Sequence, residues 1–337
     1  MRLKLLLKRG ALLAAANWPV IAIQFVAATT FQVMLAVPLI GAAILVTVLL
    51  GADLAELLRG SLRDIFATIT GVLLSPPVAP VIIVAFGAAV AVVLFGGSIL
   101  MFLVKGGTVD VLVAAHRTAG RIEDEPITID SLKTASTFTL ERFTGGCGRL
   151  FRPYLAVGLT LIAVYAISGG AYLSFIVYGY RAATDRFLIL GLAFVTAVSA
   201  AMLVAWITIV NLLYLLMQIA IAVDGGELTD APMAVLRFIR AEFRELVAVF
   251  AVVFGLVIAT TFASALAWSG VGLIAFVPLV GLAVFPLQLV ALLIRGLVFE
   301  YLGLTALGAY VALYVAHVEN RNEAVERQPI RALERPA

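Results

Sequence analysis

Two charged side chains stand inside the last long apolar stretch of the chain, residues 271–316. Arg295 and Glu300 are the only charged residues of that stretch. Because a charge is costly in hydrocarbon, this pair raises the hypothesis of a path for an ion, a proton or an anionic substrate. We favour a structural explanation, in which Arg295 reaches an interface through its aliphatic stem and Glu300 pairs with another helix.

Polar amides and histidines supply the other side chains that could do chemistry. Asn211 and Gln218 lie near one end of an apolar run, where amides bind a substrate or hydrogen-bond between helices. We favour the structural role and include both, with the two charged residues, in a candidate intramembrane polar site. His116 and His317 lack a thiol or carboxylate partner at a metal-binding spacing. Because motifs for phosphate, zinc or a nucleophile are also missing, no catalytic, metal or cofactor site is predicted.

The composition is that of a membrane protein. Of 337 residues, 63% are hydrophobic and 13% are charged, against about 45–50% and about 25% in soluble domains. A water-soluble fold of this composition would expose apolar patches that only lipid can cover. The net charge of +3 comes from basic residues at the ends of apolar runs, so no nucleic-acid partner is expected. Cys147, the only cysteine, cannot form an intramolecular disulfide.

Charge-free apolar runs place the helices that must position these residues. A span needs about 20 apolar residues. Five runs are long enough, at 19–50, 80–104, 153–180, 187–223 and 246–268. The stretch 271–316 is about twice the length of one span, and forms either two spans or one span with a non-spanning piece broken at Pro278 and Pro286. We predict an all-α transmembrane bundle with six spans, and seven as the alternative.

The distribution of arginine and lysine predicts the orientation. Met1–Gly10 and the segments 105–152 and 224–245 are basic, and basic segments favour the cytoplasmic side. We expect both termini in the cytoplasm of a bacterial inner membrane. The first apolar run is too long for a signal peptide, so we expect a retained span preceded by an interfacial turn. A single domain over 1–317 is then followed by a polar, disordered tail, 318–337.

The two large basic segments resemble each other over a short distance. Asp130 and Asp230 each precede an amphipathic stretch, which predicts an N-cap at each aspartate and an interfacial elbow helix after it. One face of the second stretch is apolar: Leu236, Ile239, Phe243 and Leu246. The arginines expected to contact lipid phosphates lie off that face: Arg237, Arg240 and Arg244.

Two stretches carry a resemblance to a known group of proteins. The first is Lys105-Gly106-Gly107-Thr108-Val109 with Gly120 downstream, leading into the third span. The second is Val223-Asp224 through Asp230, Ala234, Arg237, Arg240 and Phe243, leading into the fifth. The arrangement resembles poorly characterised bacterial six-span proteins, including the membrane domain beside some glycerophosphodiester phosphodiesterases. The resemblance implies the six-span fold and no activity, so no catalytic residue is carried over.

Three functional hypotheses follow. We expect a non-enzymatic accessory, scaffold or lipid-interacting protein of the inner membrane, with membrane lipids and other membrane proteins as partners. A transporter or permease of a small solute or lipid is the alternative, because transporter sites lie at broken helices near the midplane. A lipid-modifying membrane enzyme is the second alternative.

Overall fold

Every regular element in the described part of the chain is an α-helix. The computed structural model describes residues 3–50, 78–124, 126, 128–182, 186–225, 228–275 and 280–333. Its helices are α1 (Leu3–Ala16), α2 (Trp18–Leu50), α3 (Val78–Thr118), α4 (Ile129–Ala135), α5 (Leu140–Ala182), α6 (Arg186–Asp224), α7 (Ala231–Ala241), α8 (Phe243–Ala275) and α9 (Val280–Leu333).

Six of these helices are long and apolar enough to cross a membrane, namely α2, α3, α5, α6, α8 and α9. The prediction of an all-α transmembrane bundle is confirmed, and the described residues give six candidate spans. Within the described residues the ambiguous stretch 271–316 adds no seventh, because 271–275 complete α8 and 280–316 belong to α9. Pro286, expected to break this stretch, lies within α9, and Pro278 lies outside the described residues.

The helices form two compact units. One unit comprises residues 24–102, where Gly97 faces the ring of Phe31 so closely that any side chain at this position would collide with the ring. The other comprises residues 1–23 and 103–337. The prediction of one domain over 1–317 stays a prediction.

The core of the larger unit lies where its basic residues are concentrated. Residues 304–315 of α9 are all buried, as are most of 104–115 on α3. Farther along the spans, large apolar side chains such as Ile167, Phe194 and Phe262 are exposed, as expected for lipid contact. We call the well-packed end, with Arg117, Arg142 and the 304–321 part of α9, the basic end.

Helix α1 packs against α9 through a pair of glycines. A Cβ atom added to Gly308 would lie 3.0 Å from the Cα atom of Gly10. One face of α1 is buried, including Leu6, Leu13 and the charged Arg9. The sequence predicted an interfacial turn here, whereas the structure has a separate helix packed into the core. Asn17 separates α1 from α2.

The first elbow helix, α4, begins differently from the prediction. Its N-cap is Thr128, whose hydroxyl accepts the backbone N–H of Ser131 at 3.2 Å. The Ser131 hydroxyl in turn accepts the Thr128 N–H, which completes a capping box. Asp130, predicted as the N-cap, is therefore in the first turn. Asp230 does occupy the N-cap of α7, although its side chain makes no capping hydrogen bond.

The second elbow helix, α7, buries a different face from the predicted one. Its buried residues are Ala231, Ala234, Val235 and Phe238. The Phe238 ring packs on the rings of Tyr314 and His317 of α9, with centroids 5.1 and 5.5 Å away. Glu242 separates α7 from α8, so the predicted continuous face was wrong, and Leu236 and Phe243 are 40% and 58% exposed.

The last helix continues into the segment predicted to be disordered. Helix α9 runs to Leu333, beyond the apolar run that ends at Ala316. The added residues include the good helix formers Glu, Arg and Ala, and extending an existing helix avoids the cost of nucleation.

Candidate functional site

The two charged residues predicted to share an intramembrane site lie apart. Arg295 is exposed, and its guanidinium carbon lies 5.7 Å from the centroid of the Phe299 ring. Glu300 is half-buried, and its charge interacts with Lys105 on α3. Arg295 and Glu300 form no ion pair with each other, and the site predicted from them stays a prediction.

The two amides lie in the contact between α5 and α6. The Asn211 side-chain oxygen accepts a hydrogen bond from the Tyr165 hydroxyl. Gln218 is fully buried, and its backbone carbonyl accepts a hydrogen bond of 2.7 Å from Tyr154. Its side-chain amide has no hydrogen-bond partner among the described residues. The Asn211 side chain and the Gln218 backbone carbonyl therefore each join α5 to α6, and the Gln218 side-chain amide takes no part in this contact.

The two histidines are held in separate polar contacts. Nδ1 of His116 accepts a hydrogen bond of 3.0 Å from Nε of Arg9. Nδ1 of His317 lies 3.8 Å from a carboxylate oxygen of Glu242. Within the described ranges, no group of three or more His, Cys, Asp or Glu side chains is arranged to hold a metal.

A pocket that the sequence analysis did not predict lies at the basic end. It has a volume of about 510 Å³ and is lined by residues of α3, α5 and α6. Its charged residues are Asp110, Arg117, Arg142, Arg149 and Asp224. Apolar side chains, including Leu150, Pro153 and Ile221, complete the lining. We call this cavity the basic pocket.

Glycines allow the two helices that carry the arginines to approach closely. A Cβ atom added to Gly107 of α3 would lie 2.7 Å from the Phe143 carbonyl oxygen of α5, and one added to Gly146 would lie 2.7 Å from the Cβ of Asp110. This close packing places Asp110 against Arg149, and the two form an ion pair. The glycines at 106–107 thus lie inside a helix and serve a helix contact.

The carboxylates of the basic pocket are both engaged. Asp110 pairs with Arg149, and Asp224 accepts a hydrogen bond of 2.7 Å from the Tyr314 hydroxyl. Gly225, with φ of 60°, follows Asp224 in a left-handed conformation that glycine adopts readily, and α6 ends there. The position of Asp224 at the pocket rim thus depends on the end of α6.

Two arginines of the basic pocket make no ion pair with any described carboxylate. They are Arg117, in the last turn of α3, and Arg142, in the first turn of α5. Guanidinium groups bind phosphate and carboxylate oxygens through paired hydrogen bonds. The chemistry available in this pocket is therefore the binding of an anion by arginines that have no internal partner in the described residues.

A second pocket lies beside the basic pocket, and Asp224 lines both of them. It has a volume of about 380 Å³, and its charged lining residues are Asp224, Asp230, Arg237 and Arg321. Arg237, predicted to contact lipid, therefore lines a pocket, whereas Arg240 and Arg244 are exposed and do not line either pocket. The basic end thus has acidic and basic groups on both sides of the end of α6.

The sequence gives only an indirect indication of the basic pocket. The segment 105–152 is rich in arginine, a pattern that by itself predicts the orientation of the chain and not a pocket. Only the continuation of α3 to Thr118 and the start of α5 at Leu140 bring Arg117 and Arg142 together. Comparison of the chain with family models, curated proteins and solved structures found no match.

Proposed function

We propose that this chain is a non-enzymatic, lipid-interacting protein of the bacterial inner membrane that binds the anionic head group of a phospholipid in its basic pocket. The observation that carries the proposal is the pair of arginines, Arg117 and Arg142, which line a pocket without an ion-pair partner among the described residues. An anionic head group would supply the missing charge.

The location of the pocket favours a lipid over a freely dissolved anion. Pro153 and Ile221 line the pocket, and long apolar runs of α5 and α6 begin beside them. A phosphate could therefore lie against the arginines while its acyl chains lie along the lipid-exposed faces of the same helices. A soluble anion would make no use of this apolar continuation.

The charge distribution supports the proposed orientation. The arginines of the pocket come from segments that the positive-inside rule assigns to the cytoplasm. Both termini would then lie in the cytoplasm, and the pocket would face the inner leaflet. Anionic lipids attract basic segments to such a surface.

The arrangement supports binding better than catalysis or transport. The Asp110 and Asp224 carboxylates already have partners, so neither is free to act as a general base in the pocket. Arg295, Glu300, Asn211 and Gln218 lie in separate surroundings, which removes the main argument for a transport path. A transporter and a lipid-modifying enzyme therefore rank behind the lipid-binding function.

Binding of short-chain phospholipids to the purified full chain tests the proposal. We expect phosphatidylglycerol, which is anionic, to bind more tightly than phosphatidylcholine, and its affinity to fall as salt is added. The double variant R117Q/R142Q should lose on the order of tenfold or more, because charged hydrogen bonds contribute about 1.5–3 kcal/mol each.

A matched control distinguishes lipid binding in the basic pocket from non-specific attraction of the lipid to positive charge. The double variant R121Q/R152Q removes the same number of positive charges from exposed positions that do not line the pocket. It should bind phosphatidylglycerol like the unmodified protein. Equal loss in both double variants, or equal affinity of the unmodified protein for the two lipids, would refute the proposed site.

A further inference from the structure

A groove separate from the two pockets described above lies between α8 and α9, among the apolar parts of these two spans. It has a volume of about 340 Å³, and its lining includes Ala263 and Ala267 of α8 and Ala291 of α9. Small side chains at these three positions leave a channel between the helices. Thr260, Ser264 and Arg295 are the polar residues of its lining.

The Arg295 guanidinium lies beside an aromatic ring of its own helix. Its central carbon is 5.7 Å from the centroid of the Phe299 ring, four residues later in the sequence. Side chains four residues apart on a helix meet in this way, and a cation over an aromatic face is a favourable contact. The contact does not neutralise the charge of the arginine.

The cation in this groove has no counter-ion among the described residues. None of the described carboxylates forms an ion pair with Arg295, which is the only charged residue of the lining that the structure describes. A positive charge at membrane depth is costly unless an anion or water accompanies it. An apolar channel with a cation in its wall is complementary to an acyl chain attached to an anionic head group.

We propose that the groove between α8 and α9 binds one anionic phospholipid, with an acyl chain along Ala263, Ala267 and Ala291 and the phosphate on Arg295. This site is separate from the basic pocket and does not depend on the function proposed for it. Because the lining is apolar apart from a few groups, the occupant is a lipid and not a free phosphate.

Helix association is the competing use of such a groove. Ala263 and Ala267 are spaced as in the small residue pairs that bring membrane helices together, so the groove could receive a helix of a second copy. A docked apolar helix would cover the Arg295 charge without neutralising it. A phospholipid supplies both the chain and the charge, and is therefore the favoured occupant.

Lipid retention in nanodiscs tests this proposal. The full chain is reconstituted in an equal mixture of phosphatidylglycerol and phosphatidylcholine, and the retained lipids are counted by native mass spectrometry. We expect at least one phosphatidylglycerol to be retained preferentially by the unmodified protein and by R295K. R295Q should retain one phosphatidylglycerol fewer in preference to phosphatidylcholine than the unmodified protein, and A267L, which fills the channel, should retain one lipid fewer in total.

Controls assign the effect to this groove. R121Q removes an exposed arginine outside the groove and should leave retention unchanged. R117Q/R142Q should also leave the Arg295-dependent lipid in place, so failure of the basic pocket and failure of this site can be told apart. If R295Q retains phosphatidylglycerol like the unmodified protein, the proposal is overturned. It is also overturned if A267L changes the number of copies in the particle but not the retained lipid.

Photocrosslinking keeps the test independent of the folding of any variant. A phosphatidylglycerol with a photoreactive acyl chain is added to the unmodified protein, and the labelled peptides are mapped. Labels within 260–267 and 291–298, reduced by excess phosphatidylglycerol, support the site. Labels spread evenly along all the spans would overturn it.

Discussion

Arg9 and Glu123 form an ion pair inside the basic end, with 2.7 Å between Nη1 of the arginine and a carboxylate oxygen of the glutamate. Both side chains are buried, at 7% and 4% exposure. The same guanidinium donates from Nε to the ring nitrogen and from Nη2 to the carbonyl oxygen of His116. One side chain thereby joins α1, the end of α3 and the connection that follows α3.

The first prediction is that E123A unfolds more easily than any variant of an exposed ion pair. Removing one partner of a buried pair leaves the other charge without compensation, which costs about 3–5 kcal/mol. We expect a clear fall in the melting temperature of the purified chain in detergent. D130A, which breaks the exposed contact between Asp130 and Lys133, is the control and should melt like the unmodified protein.

The double variant R9M/E123L distinguishes the contribution of the buried charges to stability from the contribution of packing. It removes both charges together, so no buried charge is left unpaired. We expect it to melt above E123A. A double variant that is less stable than E123A would contradict the ion-pair explanation and would indicate that the packing of Arg9 dominates.

The second prediction concerns the glycine contact between α1 and α9. A Cβ atom at Gly10 would lie 2.8 Å from the backbone nitrogen of Ala309, which cannot move aside easily. We expect G10A to lower the free energy of unfolding by about 1–3 kcal/mol through overpacking. Thermal unfolding followed by size-exclusion chromatography measures the effect.

A glycine on the partner helix α9 provides the control. Gly303 is exposed, and a Cβ atom added there meets no atom within 4 Å. Because alanine is the better helix former by about 0.5–1 kcal/mol, G303A should leave stability unchanged or raise it. If G10A and G303A have the same effect, close approach of α1 to α9 is not what Gly10 provides.

The spans were predictable because length and hydropathy determine them. An apolar run without charges, such as 187–223, must satisfy its backbone polar groups internally in lipid, so it forms a helix. The helix ends were less predictable. The second apolar run ends before Lys105, but α3 continues to Thr118 because its later residues pack against protein and not lipid. Hydropathy does not distinguish these two surroundings.

The contacts of the basic end could not be predicted from local sequence. Arg9 and Glu123 are separated by 114 positions, and nothing near either residue indicates the other. The basic pocket depends on Gly107 and Gly146, whose lack of side chains lets α3 and α5 approach. Glycine is also typical of helix ends, so the sequence alone does not indicate a helix contact at these positions. Their role follows only from the partner helix that each one faces.

The third prediction concerns Asn17, between α1 and α2. Its side-chain oxygen accepts the backbone N–H groups of Thr137 and Phe138, both at 3.0 Å. Its side-chain nitrogen donates to the carbonyl oxygens of Leu13 and Ala135, also at 3.0 Å. N17A would leave these groups without their partner, at about 1–3 kcal/mol for each one that water cannot reach.

Hydrogen exchange reports this loss locally. In N17A the amides of Thr137 and Phe138 should exchange faster than in the unmodified protein, as measured by mass spectrometry of peptides that cover 136–139. Peptides of α7, which Asn17 does not contact through a hydrogen bond, serve as the internal control. Unchanged exchange at 136–139 would mean that Asn17 does not hold this connection.

The fourth prediction concerns orientation. The basic end carries the arginines that favour the cytoplasmic side, and α9 continues from that end to Leu333. A green fluorescent protein fused after residue 337 should fluoresce in a bacterial host, whereas alkaline phosphatase fused at the same place should be inactive. The reverse pair of results would place the basic pocket on the outer side and contradict the proposed inner-leaflet ligand.

The fifth prediction uses the ion pair between Asp110 and Arg149 to test whether the basic pocket binds a negatively charged ligand. Arg149 is neutralised by Asp110, so D110N should release its charge and raise the affinity for phosphatidylglycerol several-fold. R149Q should lower the affinity, because it removes a cation and leaves the Asp110 carboxylate facing the bound phosphate.

The two substitutions alter the same contact and are similar in size, so a general disturbance would move both affinities in one direction. Titration of both variants with short-chain phosphatidylglycerol at fixed salt separates these cases. Only opposite shifts are consistent with an anion bound by the arginines of the pocket, because Asp110 then competes with the ligand for Arg149.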